Sequence, residues 1–405
     1  MTPEIKQRIA QLNNGEAPSG YEKTEIGTFP IGWKTTTLDK LLEFKNGVNA
    51  DKEKYNSGVK MISVMDILTD SPIYYDKIKG QVDIDEKTLD TYSVTYGDIL
   101  FQRSSETFED AGKSNVYLDK DRTATYSGFV IRGKKKADYN PYFLNEALRI
   151  GQVRNQIIRN AAGSQHINVG QDSLAKIIVP LASDIEQSKI AEILMKWDEA
   201  IELQEQYINI LEARKRYLME ELLLPQKDWE VASLGQIVSK EKGKAVKISE
   251  NGKIPILDMD YIETGLFSNY TDDDGILASK EDILVLWDGA SAGTLLTNVE
   301  GIVGSTFALL KIKSCQILPL YLYYWLTIQN QKNSALREGS GIPHMPKDYL
   351  KMQKVCYPDI SKQTKISKTL ALSEVEILLN NEKLKIFVEQ RKTLQQYLLN
   401  GIVRV

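Results

Sequence analysis

Cysteine and histidine are scarce in this chain, with two of each among 405 residues. Cys315 and Cys356 fall in separate strand-like apolar stretches, which argues against a disulfide scaffold and predicts buried thiols in a reducing compartment. His166 and His344 fall in different halves, so neither half can build a metal centre or catalytic pair from histidines, and no metal site is expected. Long apolar runs are also missing. None approaches the roughly 20 residues of a membrane helix, and no membrane contact is expected. The opening MTPEIKQRIAQLNNGE lacks the apolar stretch of a secretory signal, so the expected location is cytoplasmic. Strong charge of one sign is absent as well: a net of −4 argues against a lone basic nucleic-acid binder. An apolar content of 42% still places the chain among folded proteins, and its length suits two domains plus a helical element.

What the chain has is a repeat. Ile190, Leu194, Trp197, Ile201, Gln204, Ile208, Leu211, Lys215, Leu218 and Leu222 alternate spacings of four and three. Ile366, Leu370, Ser373, Ile377, Asn380, Leu384, Phe387, Arg391, Leu394 and Leu398 do the same, each 176 positions later. A seam of period 3.5 sustained over several heptads predicts coiled-coil helices. From Ile185 to Leu224 there are five Lys/Arg against nine Asp/Glu, and from Ser361 to Val405 eight against four, giving −4 and +4. Opposite charge favours pairing of the two helices within one chain. Polar seam positions (Gln204 with Asn380, Lys215 with Arg391) should set register in an antiparallel pair. About thirty-five residues at 1.5 Å each predict a rod of roughly 50 Å, about one and a half turns of B-DNA.

The globular segments repeat more loosely. Phe29-Pro30-Ile31-Gly32-Trp33 with Leu38 matches Leu224-Pro225-Gln226-Lys227-Asp228-Trp229 with Leu234. A turn then leads into an apolar run in each copy, Asn56 to Asp66 paralleling Glu250 to Asp260. Asp98-Ile99-Leu100 matches Asp282-Ile283-Leu284, and a polar loop of different length follows each. Ser127-Gly128-Phe129-Val130 aligns with Ser305-Thr306-Phe307-Ala308, and Pro141 and Pro319 open helical patterns. Gly163-Ser164 and Gly339-Ser340 come before the last strand of each copy. The expected fold is α+β: two tandem mixed α/β domains separated by two long helices in an antiparallel intramolecular coiled coil. The boundaries read 1–180 (with a short N-terminal helix), 181–224, 225–359 and 360–405.

No catalytic residue emerges. Ala111-Gly112-Lys113-Ser114 resembles the end of a phosphate-binding loop, but Thr107 stands where its first glycine belongs and a strand pattern follows. Asp83, Asp85 and Lys87 have a nuclease-like flavour without the preceding Pro-Asp. Basic and polar loop residues suggest contact with DNA phosphates and base edges. In the first domain the candidates are Lys45, Arg103, Ser104, Lys113, Ser114, Lys134 (in the run Arg132-Gly133-Lys134-Lys135-Lys136), Ser164, Gln165 and His166. In the second they are Lys242, Lys244, Trp287, Asp288, Ser291, Ser340 and His344, with Trp287 alternatively a core residue. Solvated charge and ordinary turns are the competing reading of these loops.

The tandem layout, the Phe-Pro-Ile-Gly-Trp-Lys opening, the Asp-Ile-Leu strand before a polar loop, and Pro180 with Glu186-Gln187 resemble the specificity subunit of type I restriction–modification systems. The resemblance spans nearly the whole chain. One departure is Lys362-Gln363 in the second copy, where the first has Glu186-Gln187. The resemblance implies two target-recognition domains, each reading one half of an asymmetric bipartite site in double-stranded DNA. It implies a non-catalytic chain that binds no cofactor itself. Two modification subunits carrying S-adenosylmethionine would dock on the helices, and restriction subunits using ATP and Mg would join them. The alternative from another class is a bivalent scaffold whose domains bind protein rather than DNA.

Overall fold

The computed structural model describes residues 1–163, 165–332 and 344–405. By internal packing the chain forms two units, residues 1–204 with 384–405 and residues 205–383. Each unit contains one globular domain and half of each long helix.

The long helices run from Asp184 to Leu222 and from Ile360 to Leu399, with starts 176 residues apart as the periodicity predicts. The first begins three residues later than the expected 181. Ile178–Leu181 is still strand, and Ser183 Oγ then accepts from Glu186 N (3.3 Å) as an N-cap. All fifteen apolar seam residues, Ile190, Leu194, Trp197, Ile201, Ile208, Leu211, Leu218, Leu222, Ile366, Leu370, Ile377, Leu384, Phe387, Leu394 and Leu398, are buried or half-buried.

Within each unit the helical halves run antiparallel. In the first, Trp197 packs edge-on against Phe387 at 5.8 Å, and Asp198 pairs with Arg391 Nε at 2.8 Å. In the second, Lys215 pairs with Glu374 at 2.6 Å and Arg214 with Glu376. Glu374 is Asp198 plus 176 and Arg391 is Lys215 plus 176, so one ion pair occurs twice. The first copy is the more deeply buried. Arg391 is 12% exposed and also contacts Glu146 (2.7 Å) and the Tyr142 hydroxyl (2.9 Å). Burial works against its charge, but Glu146, Tyr142 and Asp198 outweigh that and hold the guanidinium ionised.

A second duplicated device ties each helix to its domain. Gln187 is buried in the first turn; its Oε1 accepts from Asn140 N (2.9 Å) and its Nε2 donates to Ala182 O (2.9 Å). Gln363 accepts from Leu318 N (2.9 Å) and donates to Pro358 O and Gln316 O, both at 2.8 Å. Asn140 and Leu318 each precede the proline that opens a helix, Pro141–Ala147 or Pro319–Lys332. The glutamine therefore satisfies a buried backbone donor and acceptor together. The Glu186-to-Lys362 departure has a local account. Glu186 accepts from Trp33 Nε1 (2.9 Å) and Arg404 Nε (2.6 Å), whereas Lys362 lies over the Trp229 ring (5.4 Å) and donates to Gln226 (2.6 Å).

Each domain is built on the same antiparallel four-stranded sheet. Its order is Leu42–Asn46, Val130–Lys135, Ile99–Gln102, Ser114–Val116 in the first, and Val238–Lys242, Phe307–Ile312, Ile283–Leu286, Leu295–Thr297 in the second. A smaller sheet in each contains a parallel pair: Tyr55–Ile62 with Thr125–Tyr126, and Ile254–Leu257 with Gly301–Val303. A separate two-stranded clasp joins the start of each domain to its end, Lys34–Thr37 with Ile178–Leu181 and Glu230–Ser233 with Lys354–Tyr357. Ile190 and Leu194 enter the first domain's core, as Ile366 and Leu370 enter the second's.

Gly47 and Gly243 occupy equivalent positions after the first sheet strand. An added Cβ would sit 2.2 Å from Ser127 O or 2.1 Å from Gly304 O, so both domains need the backbone pressed there. This contact sets the register of the turn that follows, and it corrects the sequence alignment. Arg103 N donates to Phe129 O (3.0 Å) and Trp287 N to Thr306 O (2.7 Å), which makes Val130, not Phe129, the counterpart of Phe307. A one-residue slip moves a side chain to the opposite face. Phe307 is buried and Phe129 is exposed.

Replacing Arg391 by Leu removes the cation shared by Glu146 and Asp198, leaving Glu146 only Arg149 (3.3 Å) and Gln395 (2.7 Å), and is expected to cost about 3 kcal/mol in denaturant unfolding. The equivalent Lys215→Leu, in a wetter pair, should cost about 1 kcal/mol or less. Gln363→Ala strands a buried N–H and two carbonyls and should cost about 3 kcal/mol in the same measurement.

Candidate nucleic-acid interface

In both domains three loops meet where the Asp-Ile-Leu strand ends, and backbone hydrogen bonds assemble them. Arg103 and Trp287 are the first residues after that strand. On one side Arg103 N and Trp287 N hold the turn before the neighbouring sheet strand, as above. On the other, Val169 N donates to Arg103 O (3.0 Å) and Met345 N to Trp287 O (2.8 Å). The histidine-bearing segment thereby pairs with the divergent loop: Ser104 lies opposite Asn168, and Asp288 opposite His344. Two stretches that the sequence shows sixty residues apart become one surface.

The histidines are not equivalent to each other. His344 is Asn168 plus 176, so the first domain carries an amide where the second carries an imidazole. Asn168 went unnoticed in the sequence. Its Oδ1 accepts from Ser104 Oγ and its Nδ2 donates to His166 O (3.0 Å). Position 176 before His344 was the signal that would have found it. Gln165 and His166 are exposed beside it, and Arg103 Nη1 reaches Gly128 O (3.3 Å). Ser164 and Ser340 lie outside the described residues.

The second domain's surface is built from charge pairs. Asp288 accepts from Lys242 Nζ (2.6 Å), and Lys240 Nζ stands 3.8 Å above the Trp287 ring. Burial, and next the nearby Lys242 charge, draw the Lys240 ammonium below its usual pKa. Lys244 and Ser291 are exposed, and Ser291 O accepts from Thr294 Oγ1 (2.7 Å) in the turn.

Several sequence candidates are placed elsewhere. Trp287 is buried and packs edge-on against Tyr349 at 6.0 Å, so it belongs to the core, the alternative that the Leu286-Trp287 run already allowed. Ser114 is buried beside Asn145 (3.4 Å) and has no surface to offer a duplex. Within the basic run, Arg132 is buried over Tyr126 and donates to Ser93 O. Lys134 is exposed but lies opposite Glu43, toward the other end of the strand from the loop junction. Arg132 and Lys134 share a face of the strand, and the split follows position along it: Arg132 pairs with strands on both sides, whereas Lys134 lies beyond the pairing with Ile99–Gln102. Lys113 reaches the junction through its backbone, while its side chain pairs with Asp110 at 2.6 Å. Lys45 is half-buried over the Tyr92 ring at 4.6 Å. Asp85 serves as the N-cap of Glu86–Thr91, accepting from Thr88 N at 2.6 Å. Among the described residues no group of three His, Cys, Asp or Glu is placed to hold a metal, and no helix is long and apolar enough to cross a membrane.

Two domains of one design, each followed by a heptad-bearing helix and differing in the side chains at one loop junction, define a tandem recognition protein. The comparisons agree. The model of the type I restriction modification DNA specificity domain matches twice, at residues 30–213 and 226–390. The chain belongs to that family and is a type I specificity subunit. It is 24% identical to the MjaX specificity subunit of Methanocaldococcus jannaschii over 95% of this chain and 97% of that one. To the MjaVIII specificity subunit of the same organism it is 31% identical over 186 residues, 44% of each chain. In fold it is similar to the crystal structure of an S subunit from M. genitalium, with TM-score 0.56, 18% identity, and 91% of this chain and 96% of that one covered. A chain from a study of complex assembly and conformational transition in the type I R-M system gives TM-score 0.61 at 14% identity, covering 93% and 99%.

Replacing Trp287 by Ala should cost about 3–5 kcal/mol in thermal or denaturant unfolding, as for any large core aromatic. Arg103→Ala, at a half-buried loop position, should stay within about 1 kcal/mol of the parent chain.

Proposed function

We propose that this chain is the non-catalytic DNA-specificity component of its system, and that each domain reads one half of an asymmetric bipartite target. The observation that carries this reading is the loop junction: one backbone scaffold, used twice, with unlike side chains. Arg103, Ser104, Asn168, Gln165 and His166 offer guanidinium, hydroxyl, amide and imidazole groups, which are the donors and acceptors that distinguish base edges in a major groove. Asp288 with Lys242 and His344 offers a different set, suited to different bases. Lys244, exposed beside the junction, is suited to phosphates, which position a protein without specifying sequence.

The helices support docking of two like partners, which we take to be the modification subunits, with restriction subunits joining that assembly. Exposed apolar residues recur at the same places in both repeats. Leu203 and Ile210 correspond to Leu379 and Ile386, each 176 later and each exposed. Apolar side chains kept outward twice at one spacing fit a partner used twice. Adenine methylation with S-adenosylmethionine, and ATP-dependent cleavage, would then belong to those partners. The net charge of −4 fits a chain that meets DNA with its partners' help, so the isolated chain should bind duplex more weakly than the assembled methyltransferase at equal salt.

Exchanging residues 21–180 for the first domain of another family member, and sequencing the methylated adenines, tests the assignment. One half of the methylated site should change while the other persists. Both halves changing together, or an assembly that retards no duplex at low salt, would favour a protein-binding scaffold instead.

A further inference from the structure

We infer that Phe129 is a wedge, inserted by the first domain alone into a base step of the half-site it reads. This rests on the DNA-reading function proposed above and adds a contact that hydrogen-bond readout does not supply. Phe129 is 66% exposed, well beyond Phe108 at 43%. A single exposed apolar side chain is ordinary on a protein surface; what marks this ring is how it is held and what surrounds it.

The ring is not on a loose loop. It occupies the third position of a turn closed by Val130 N donating to Ser127 O (2.9 Å). Ser127 N is held by Ile62 O (3.0 Å), and Arg103 grips the turn twice, through its backbone N–H to Phe129 O (3.0 Å) and its guanidinium to Gly128 O (3.3 Å). Gly128 lies close against the Asn49 side chain, where an added Cβ would fall 1.8 Å from Oδ1. A braced turn presents the ring at little further ordering cost on binding. Arg103 and Asn49 lie against Gly128 beside it, a cation and an amide able to contact phosphate and base edges next to the opened step.

The second domain shows that the fold does not require this ring. Its counterpart of Phe129 is Thr306, and its counterpart of Arg103 is Trp287, buried in the core. One domain turns its aromatic outward at this junction and the other turns it inward. Unstacking is therefore confined to one half of the target, and the two half-sites differ in deformability as well as in sequence.

The test uses the full chain assembled with its modification subunits. Duplexes carry 2-aminopurine at successive positions of the first half-site, away from the methylated adenine, which a methyltransferase extrudes on its own account. The expected result is a rise in fluorescence at one step with the parent chain, lost in Phe129→Ala. Affinity should fall about tenfold in that variant and be kept in Phe129→Trp, as for a base–aromatic stack. Subunit stoichiometry should not change. Equal affinity in Phe129→Ala, weaker binding without any fluorescence change, or loss of the modification subunits would each overturn the wedge while leaving specific binding by the parent intact. A parent assembly that binds no duplex specifically would instead remove the DNA-reading function itself.

Discussion

A carboxylate on one long helix meets a cation on the other, and the chain makes this contact twice. Asp198 holds Arg391 in one unit and Glu374 holds Lys215 in the other, with every member displaced from its counterpart by 176 residues. Apolar heptads alone would tolerate sliding by a heptad or reversal of direction, because each leucine fits several holes. A charge within the seam does not, since a slip leaves it without a partner in a poorly hydrated place. The two pairs favour one direction and register, the buried Arg391 pair more than the wetter Lys215 pair, and the same helices send Ile190 and Leu194 into one domain core and Ile366 and Leu370 into the other.

The buried glutamines transmit that order to the domains. Gln187 and Gln363 sit in the first turns of the long helices and satisfy the backbone at Asn140 and Leu318, just ahead of the shorter helices. The neighbouring position is free to vary. Glu186 and Lys362 use opposite charges to seat equivalent tryptophans, one through an indole N–H bond and the other through the ring face. The duplication thus keeps what the backbone needs and changes what only side chains decide. The same division governs the loop junctions, where strand pairing is repeated and the presented groups are not.

The seam was legible in the sequence because it is a local, periodic signal, and so were the principal sheet strands with their turns. The site was legible only in part. Arg103, Ser104, Gln165 and His166 were singled out separately, yet nothing local says that they adjoin, since Val169 bonding Arg103 is a long-range contact. Arg132 and Ser114 looked like surface residues because charge and hydroxyl usually are, but they lie where strands of the central sheet are covered on both faces. Phe129 was matched with Phe307 by letter identity, and the backbone hydrogen bonds place it one residue out of step. His166 and His344 were grouped by their nearness to Gly-Ser, whereas strand pairing aligns His344 with Asn168.

By itself the sequence determined the number of domains, the two heptad helices, their spacing and the seam cations Lys215 and Arg391, though not the carboxylates that meet them. These depend on periodicity, charge and length, which act over a few turns of chain. Only the tertiary structure decided which loops share a surface, which aromatic points outward and which charges are buried. Those outcomes depend on strand register and on backbone contacts such as Gly47 against Ser127, where a shift of one residue reverses a face and no local pattern records the choice.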